Sequence, residues 1–414
     1  MMRFGLMRVL DKYAAGALCR LMALVWRLKR LVRPRATADF PPERIKNILV
    51  LKFFGAGSLH LAWPMFKGIR RRFPHARIFV LTFESNREFL EVLGVADEIL
   101  AVRSDRLGHF LGDLLRHWWR LVSHRPDLSF DLEFFSNSSV LMTMFYLARI
   151  RVGLYAENAK RGDLLTIRAG FNHYRHVSEV FFRLAEAVGV QKRPELFDLS
   201  LPSMAEAYER GVAPRLGLRD GERYAVVNVN SSGLFLHRRW PMEQFAQLIR
   251  KLRARHPGTK VVLIGGAGDG QYVGGLHAAL ADDDGVVNLA GRTSVRELLG
   301  LLQHAALLIS NDSGPVHFAS GCKTPTVAMF GPETPVIYRP LNPNAIVLYA
   351  GLYCSPCMNV FANKDFKGCR DNVCMTGISV EQVMEAAESL LDGRAAAEYV
   401  CPGRYVPVQS IPVR

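Results

Sequence analysis

KNILVLKFFGAGSLHLAWP, residues 46–64, sets an apolar run, a turn with two glycines and a segment of helical spacing end to end. A short apolar run that breaks at glycine and resumes at helical period is a strand feeding a helix. The turn carries no acid, and none occurs between Glu43 and Glu84.

Working outward, the rhythm repeats. Strands are expected at ARIFVLTF, DEILAV and SFDLEFF, with LHLAWPMFKGIRRRF and LGDLLRHWWRLV as helices and a further helix near HVSEVFFRLAEAVGV. Prolines and mixed charges at weak period then predict an interdomain linker over residues 201–222. Beyond it the alternation restarts, with strands YAVVNVN, TKVVLIGG, GVVNLAG, ALLISND and TPTVAMFG and helices MEQFAQLIRKLRARH and SVRELLGLLQHA. Right-handed crossovers make each half a parallel, doubly wound α/β sheet whose ligands gather where loops leave the carboxyl ends of strands. The expected fold class is therefore α/β, two facing Rossmann-like domains: an N-terminal one over 39–200 and a C-terminal one over 223–395, followed by a tail over 396–414.

A chain of 414 residues, 49% of them hydrophobic, is too rich in apolar residues to be a disordered tail and long enough for two or three domains. Its 53 Lys and Arg against 38 Asp and Glu leave +15, which favours anionic partners such as phosphorylated sugars or anionic lipid. Nine of those basic residues and one acid lie in the first 35 positions. Leu18, Leu21, Met22, Val25 and Leu28 recur there at helical spacing, while Arg20, Arg27 and Lys29 interrupt any run able to cross a bilayer. The expectation for residues 1–38 is a basic amphipathic helix on an anionic membrane surface, Trp26 near the headgroups; the alternative is the same helix packed on the protein. Nucleic acid is not expected as a partner, because the basic excess is confined to one terminal helix and no binding module is present.

Three segments could carry chemistry. In ALLISNDSGPVHFASG a strand ends at Asn311 and Asp312, then Ser313 and Gly314 open a helix bearing His317. Its free N–H groups suit a pyrophosphate, although Asp312 or Ser313 acting as a helix cap is an equal reading until FGPETP, leaving the next strand at the same edge, favours a site. In NVNSSGLFLHRRWP a strand ends at Asn230 and Ser231, and Arg238 offers a planar fork for phosphate ahead of Trp240, expected in the core. LIGGAGDG departs from the dinucleotide spacing and reads as a structural turn. In the Cys-rich segment 354–374, Cys354, Cys357, Cys369 and Cys374 leave three readings open: a structural zinc, reduced thiols or two disulfides.

NDSGPVHFAS followed by TPTVAMFGPETP, with RRWP upstream and the opening glycine turn, resembles the lipopolysaccharide heptosyltransferases, glycosyltransferase family 9, over about residues 46–392. The resemblance implies a GT-B-type pair of domains, a nucleotide-diphosphate sugar held mainly by the second and an acceptor by the first, inversion at the anomeric carbon and no cofactor for catalysis. It places Ser313 and Gly314 on the donor pyrophosphate with Asp312 shaping their turn, His317 facing the sugar, and Arg238 where the family usually has Lys. At the position of Ser58 the family carries an Asp, taken as the base that deprotonates the acceptor. A serine hydroxyl cannot do this unaided, so the base is expected from Glu133, at the end of SFDLEFF, with His60 and Glu84 behind it. The implied activity is an inverting sugar transferase at the cytoplasmic face of a bacterial membrane, acting on a lipopolysaccharide or other lipid-linked acceptor; the alternative is a membrane-associated nucleotide-sugar-binding protein with weak or lost activity.

Overall fold

Most of the apolar runs become strands buried on both faces, as strands of a parallel sheet covered by helices must be. The computed structural model describes residues 9, 11–32, 42–134, 136–155, 160–231, 235–358 and 369–393, which fall into two units, Met1–Phe197 and Asp198–Arg414. Cys401, the tail over 396–414 and the side chains of Trp26, Arg27, Leu28 and Lys29 lie outside what is described.

The first unit holds β1 (Asn47–Leu51), β2 (Arg77–Phe83), β3 (Glu98–Val102), β4 (Leu128–Asp131), β5 (Ile150–Tyr155) and β6 (Ile167–Gly170) in the order β3-β2-β1-β4-β5-β6. Every pairing is parallel, with Asn47 beside Arg77 and Ile48 beside Leu128. The second holds β7 (Arg223–Asn228), β8 (Thr259–Ile264), β9 (Val286–Asn288), β10 (Leu307–Asn311), β11 (Thr326–Phe330) and β12 (Ala345–Tyr349) in the order β12-β11-β10-β7-β8-β9. Counted from its own first strand this is the same arrangement, the Rossmann order. Strand order reverses between β1 and β4 in one unit and between β7 and β10 in the other. The loops leaving those strands are where each unit can hold a ligand.

Strands β5, β6 and β12 were not anticipated from the sequence. Arg151 is the second residue of β5 yet is buried, its guanidinium donating to the carbonyls of Leu164 (2.8 Å) and Ala148 (2.9 Å). The segment expected as a linker is corrected as well: Pro202–Ala207 and Ala213–Leu216 are helices joined by a wider turn, and they belong to the second unit. Pro202 stands in the first turn of its helix, where its missing N–H costs nothing. Met204 and Tyr208 are buried, and Tyr208 stacks on His304 at 4.2 Å.

The first helix, Gly16–Val32, packs Cys19 and Ala23 against Val140 of helix Asn137–Phe145 and leaves Leu18, Leu21, Leu24 and Val25 exposed. Asp11 ties it down, its Oδ1 accepting from the Ser138 N–H (2.7 Å) and the Ser136 hydroxyl (2.9 Å). Among the described residues no helix is long and apolar enough to cross a membrane.

Candidate functional site

In the second unit the carboxyl ends of β7, β10 and β11 bring the predicted residues together. Asn228 Nδ2 donates to the hydroxyls of Ser310 (2.9 Å) and Ser313 (2.7 Å), lacing β7 to β10 at the reversal of strand order. Asn311 continues the lacing, donating to Val229 O (2.9 Å) and accepting the Trp240 N–H (3.0 Å). Trp240 is core, as expected, with its indole N–H on Ile378 O (2.9 Å). Asn230 is buried and gives its amide hydrogen to Ile264 O (3.0 Å), while its Oδ1 has no hydrogen-bond partner among the described residues. Ser231 is buried with its hydroxyl on Phe235 O (3.0 Å).

Helix Gly314–Cys322 begins at this edge. Ser313 precedes it in extended conformation and makes no capping bond, because its hydroxyl donates to Asn311 O (3.1 Å). Asp312 does not cap the helix either, since its carboxylate turns to Arg238, 3.2 Å from Nη1 to Oδ2. Among the described residues no side chain therefore caps this N-terminus, although the Val316 N–H bonds the Ser313 carbonyl (3.2 Å) and Pro315 has none; an uncapped helix start suits an anion. His317 lies buried on the same helix.

Arg238 is held between two carboxylates. Its Nη1 faces Asp312 and its Nη2 faces Glu333 Oε2 at 3.4 Å; the guanidinium also lies 5.0 Å from the Phe235 ring. Its Nε has no hydrogen-bond partner among the described residues. Burial pushes the Glu333 carboxyl up to about 8, with Arg238 opposing the rise and Asp312 adding to it. Burial raises Asp312 too, again against Arg238. Arg239 takes a different course, stacking on the Tyr272 ring at 4.0 Å beside Asp269. The LIGGAGDG turn is closed by Asp269, whose Oδ2 accepts the Gly266 N–H at 2.9 Å, and a Cβ on Gly265 would stand 2.6 Å from Asn230 Nδ2.

In the first unit, the turn after β1 is fixed from β4. Glu133 Oε1 accepts the N–H of Phe53 (2.6 Å) and Phe54 (3.2 Å) and the Lys52 ammonium (3.2 Å), and Lys52 also donates to Phe54 O (2.6 Å). Gly55 adopts φ +83°, a backbone that suits glycine, and the half-buried Ser58 follows in the first turn of helix Ala56–Arg72. His60 is corrected here. It points into the unit's interior, fully buried, with Nε2 at 3.0 Å from Phe197 O. Glu84 is exposed and paired with Arg87 at 2.7 Å.

Residues 114–365 match the family Glycosyltransferase family 9 (heptosyltransferase). The chain belongs to glycosyltransferase family 9. It is 34% identical to lipopolysaccharide heptosyltransferase 2 of Escherichia coli (strain K12) over 73% of this chain and 87% of that protein. It is 24% identical to lipopolysaccharide heptosyltransferase 3 of the same strain over 81% of this chain and 95% of that one. Among solved structures, E. coli ADP-heptose lps heptosyltransferase II superposes with a TM-score of 0.65 at 22% identity, covering 84% of this chain and 99% of that chain. The fold of this family 9 chain is therefore that of the heptosyltransferase structure, two parallel-sheet α/β domains.

Within this family 9 chain, Glu333 is the site residue that sequence reasoning missed. FGPETP was singled out as a turn at the right edge; what could not be read was that its acid turns inward, with no exposed surface, onto Arg238. Cys354, Cys357, Cys369 and Cys374 do share one neighbourhood: after burial itself, the charges of the other three raise the Cys374 thiol to about 11. Yet among the described residues no three His, Cys, Asp or Glu side chains are placed to hold a metal ion. Two of the sulfurs serve the local chain instead, Cys369 accepting the Asn372 N–H (3.3 Å) and Cys374 facing Asn372 Oδ1 (3.8 Å). All four are free thiols.

Proposed function

We propose that this chain moves a sugar, heptose first among the candidates, from a nucleotide-diphosphate donor to a lipopolysaccharide or other lipid-linked glycan, with inversion and without a catalytic metal. The observation that carries the reading is Arg238 beside the start of helix Gly314–Cys322: a buried guanidinium and a helix N-terminus with no side-chain cap at one sheet edge. In the reaction the acceptor oxygen attacks the anomeric carbon, the bond from that carbon to the diphosphate oxygen breaks, and the pair of electrons leaves on the diphosphate. Arg238 and the amides near Ser313 and Gly314 stabilise that growing charge, Asn230, Ser231 and Asp312 shape the pocket wall, and His317 lies toward the sugar. Removing one such donor typically costs about 10²–10³ in rate. Because positive charge is supplied by the protein, turnover is expected to survive a chelator.

The acceptor proton goes to Glu133. Oε1 is anchored by three donors, whereas Oε2 makes no hydrogen bond to the described residues, so the carboxylate is oriented with one oxygen to spare. Ser58 then positions the acceptor rather than deprotonating it. Glu133→Gln keeps an anchoring oxygen but cannot take the proton; transfer should fall by about 10²–10⁴ with donor affinity unchanged. Wild-type turnover in that variant would eliminate Glu133 as the base.

A second reading, a nucleotide-sugar-binding protein without turnover, is favoured by Ser58 alone. Incubation with ADP-heptose and other donors separates the two: acceptor-dependent release of nucleoside diphosphate supports transfer, and tight binding without release supports the rival. The reading also keeps the chain at the cytoplasmic face of the membrane, where the exposed Leu18, Leu21, Leu24 and Val25 of the first helix would meet lipid.

A further inference from the structure

Helix Leu107–His124 is apolar on two sides. Its inner side supplies Phe110, Leu114, Trp118 and Leu121 to the core over β1, β2 and β3. Its outer side repeats large apolar residues every four positions, with Leu107 54%, Leu111 49%, Leu115 55% and Trp119 70% exposed. Gly108 and Gly112, on the outer side as well, face open space. A polar strip of His109, Arg116 and Arg120 closes the circumference, but the apolar arc is wider than the sheet covers, and its outer stripe has no partner among the described residues. Phe145 and Leu147 extend the stripe, 49% and 58% exposed, with the Phe145 ring 5.6 Å from Trp118 and its carbonyl accepting the Trp118 indole N–H at 3.0 Å.

The charges around the stripe choose the partner. From 103 to 125 the chain carries five arginines, Arg103, Arg106, Arg116, Arg120 and Arg125, against Asp105 and Asp113; Arg120 is paired with Glu98 (3.0 Å) and Arg116 leans on Asp113 (3.6 Å), which leaves Arg106 and Arg125 as the cations with no carboxylate partner among the described residues. Asp113 is buried and already engaged by Arg103 (2.8 Å). A two-fold pairing of this face with a second copy would set arginines against arginines. An anionic bilayer instead offers hydrocarbon to the stripe, phosphate to the arginines and the headgroup level to Trp119. The first helix and this one flank the same element, since Cys19 and Ala23 pack on Val140 of helix Asn137–Phe145 and Trp118 packs at its far end.

We propose that the outer face of helix Leu107–His124, with Phe145 and Leu147, docks on an anionic lipid bilayer as a contact separate from the first helix. This concerns lipid attachment alone and stands whether or not the chain transfers a sugar.

Flotation of the full chain with phosphatidylglycerol–phosphatidylcholine vesicles tests it. Combined Leu111→Asp, Leu115→Asp and Trp119→Ser should weaken vesicle binding by about tenfold or more, as expected for the loss of several apolar groups from a lipid contact. Binding to pure phosphatidylcholine should be weaker for the unaltered chain, and ADP affinity should not change in the variant. Equal flotation overturns the proposal, as does a dimer that the same substitutions split while vesicle binding persists. Should the triple variant fail to fold, brominated lipids decide: they should quench tryptophan emission in the unaltered chain measurably more than in Trp119→Phe, and equal quenching overturns the proposal.

Discussion

Arg238 is one cation among two buried acids, and that imbalance sets its chemistry. Two carboxylates around a single guanidinium leave one negative charge short of a partner, so one acid is driven to keep its proton; Glu333, raised to about 8, is that acid. The pH dependence follows. An unfolded Glu releases its proton near 4.5, whereas folded Glu333 holds it to about 8. The folded state therefore binds more protons between those values, and the stabilisation present below 4.5 is lost as pH rises toward 8. Glu333→Gln should flatten that slope, raising the unfolding temperature at pH 8 relative to wild type by more than at pH 5. An unchanged slope in thermal melts would show that Glu333 ionises normally. A bound diphosphate adds negative charge beside the same acid and favours its protonated form, so ADP affinity should fall above pH 8 in wild type and less so in Glu333→Gln. Arg238→Lys keeps the charge but loses the fork; with bonds to charged groups worth about 1.5–3 kcal/mol each, the loss of one should weaken ADP binding by about 10–100-fold. Unaltered ADP affinity by calorimetry would remove Arg238 from the phosphate site.

At the scale of elements, the legible parts were those in which one local rule acts alone. The run NILVL, the turn at Gly55 and the helix after it were readable because strand, turn and helix signals follow one another without conflict. The segment over 201–222 was not, since prolines that start helices and prolines that break them look alike in sequence. What decides it is a distant glycine. Helix Pro202–Ala207 lies so close to helix Val295–His304 that a Cβ on Gly300 would stand 2.2 Å from Met204 O. Backbone cannot yield as a side chain can, so Gly300→Ala should destabilise the chain by about 1–3 kcal/mol even though alanine is the better helix former. Chemical denaturation reads this directly; an increase in stability would mean that the two helices separate at no cost. The same limit explains β5, whose buried Arg151 interrupts the apolar run and is satisfied by the nearby Ala148 carbonyl together with that of Leu164, which lies beyond the strand. It also explains Glu333 and the four cysteines, because whether an acid turns inward, or four sulfurs converge on one point, depends on the packing of loops rather than on spacing.

For the whole molecule, both units use one strand order, so each has its own reversal edge and each could receive a ligand. Their chemistry differs. The second presents Arg238 and a nine-residue helix without a side-chain cap, the edge proposed for a diphosphate. The first presents a turn held by Lys52 and Glu133, where an anion would meet a carboxylate. Hydrogen exchange on the full chain with and without ADP tests this division of labour. Slowed exchange should map to the backbone after β7, residues 229–231, and to Ser313, Gly314 and Val316, while Pro315 has no amide to report. Amides of residues 53–58 should exchange at the same rate in both samples, because Phe53 and Phe54 donate to Glu133 and Ser58 to the Gly55 carbonyl rather than to the nucleotide. Protection at 53–58 without protection at 313–316 would put the nucleotide on the first unit, and the roles given to Arg238 and Glu133 would fall together.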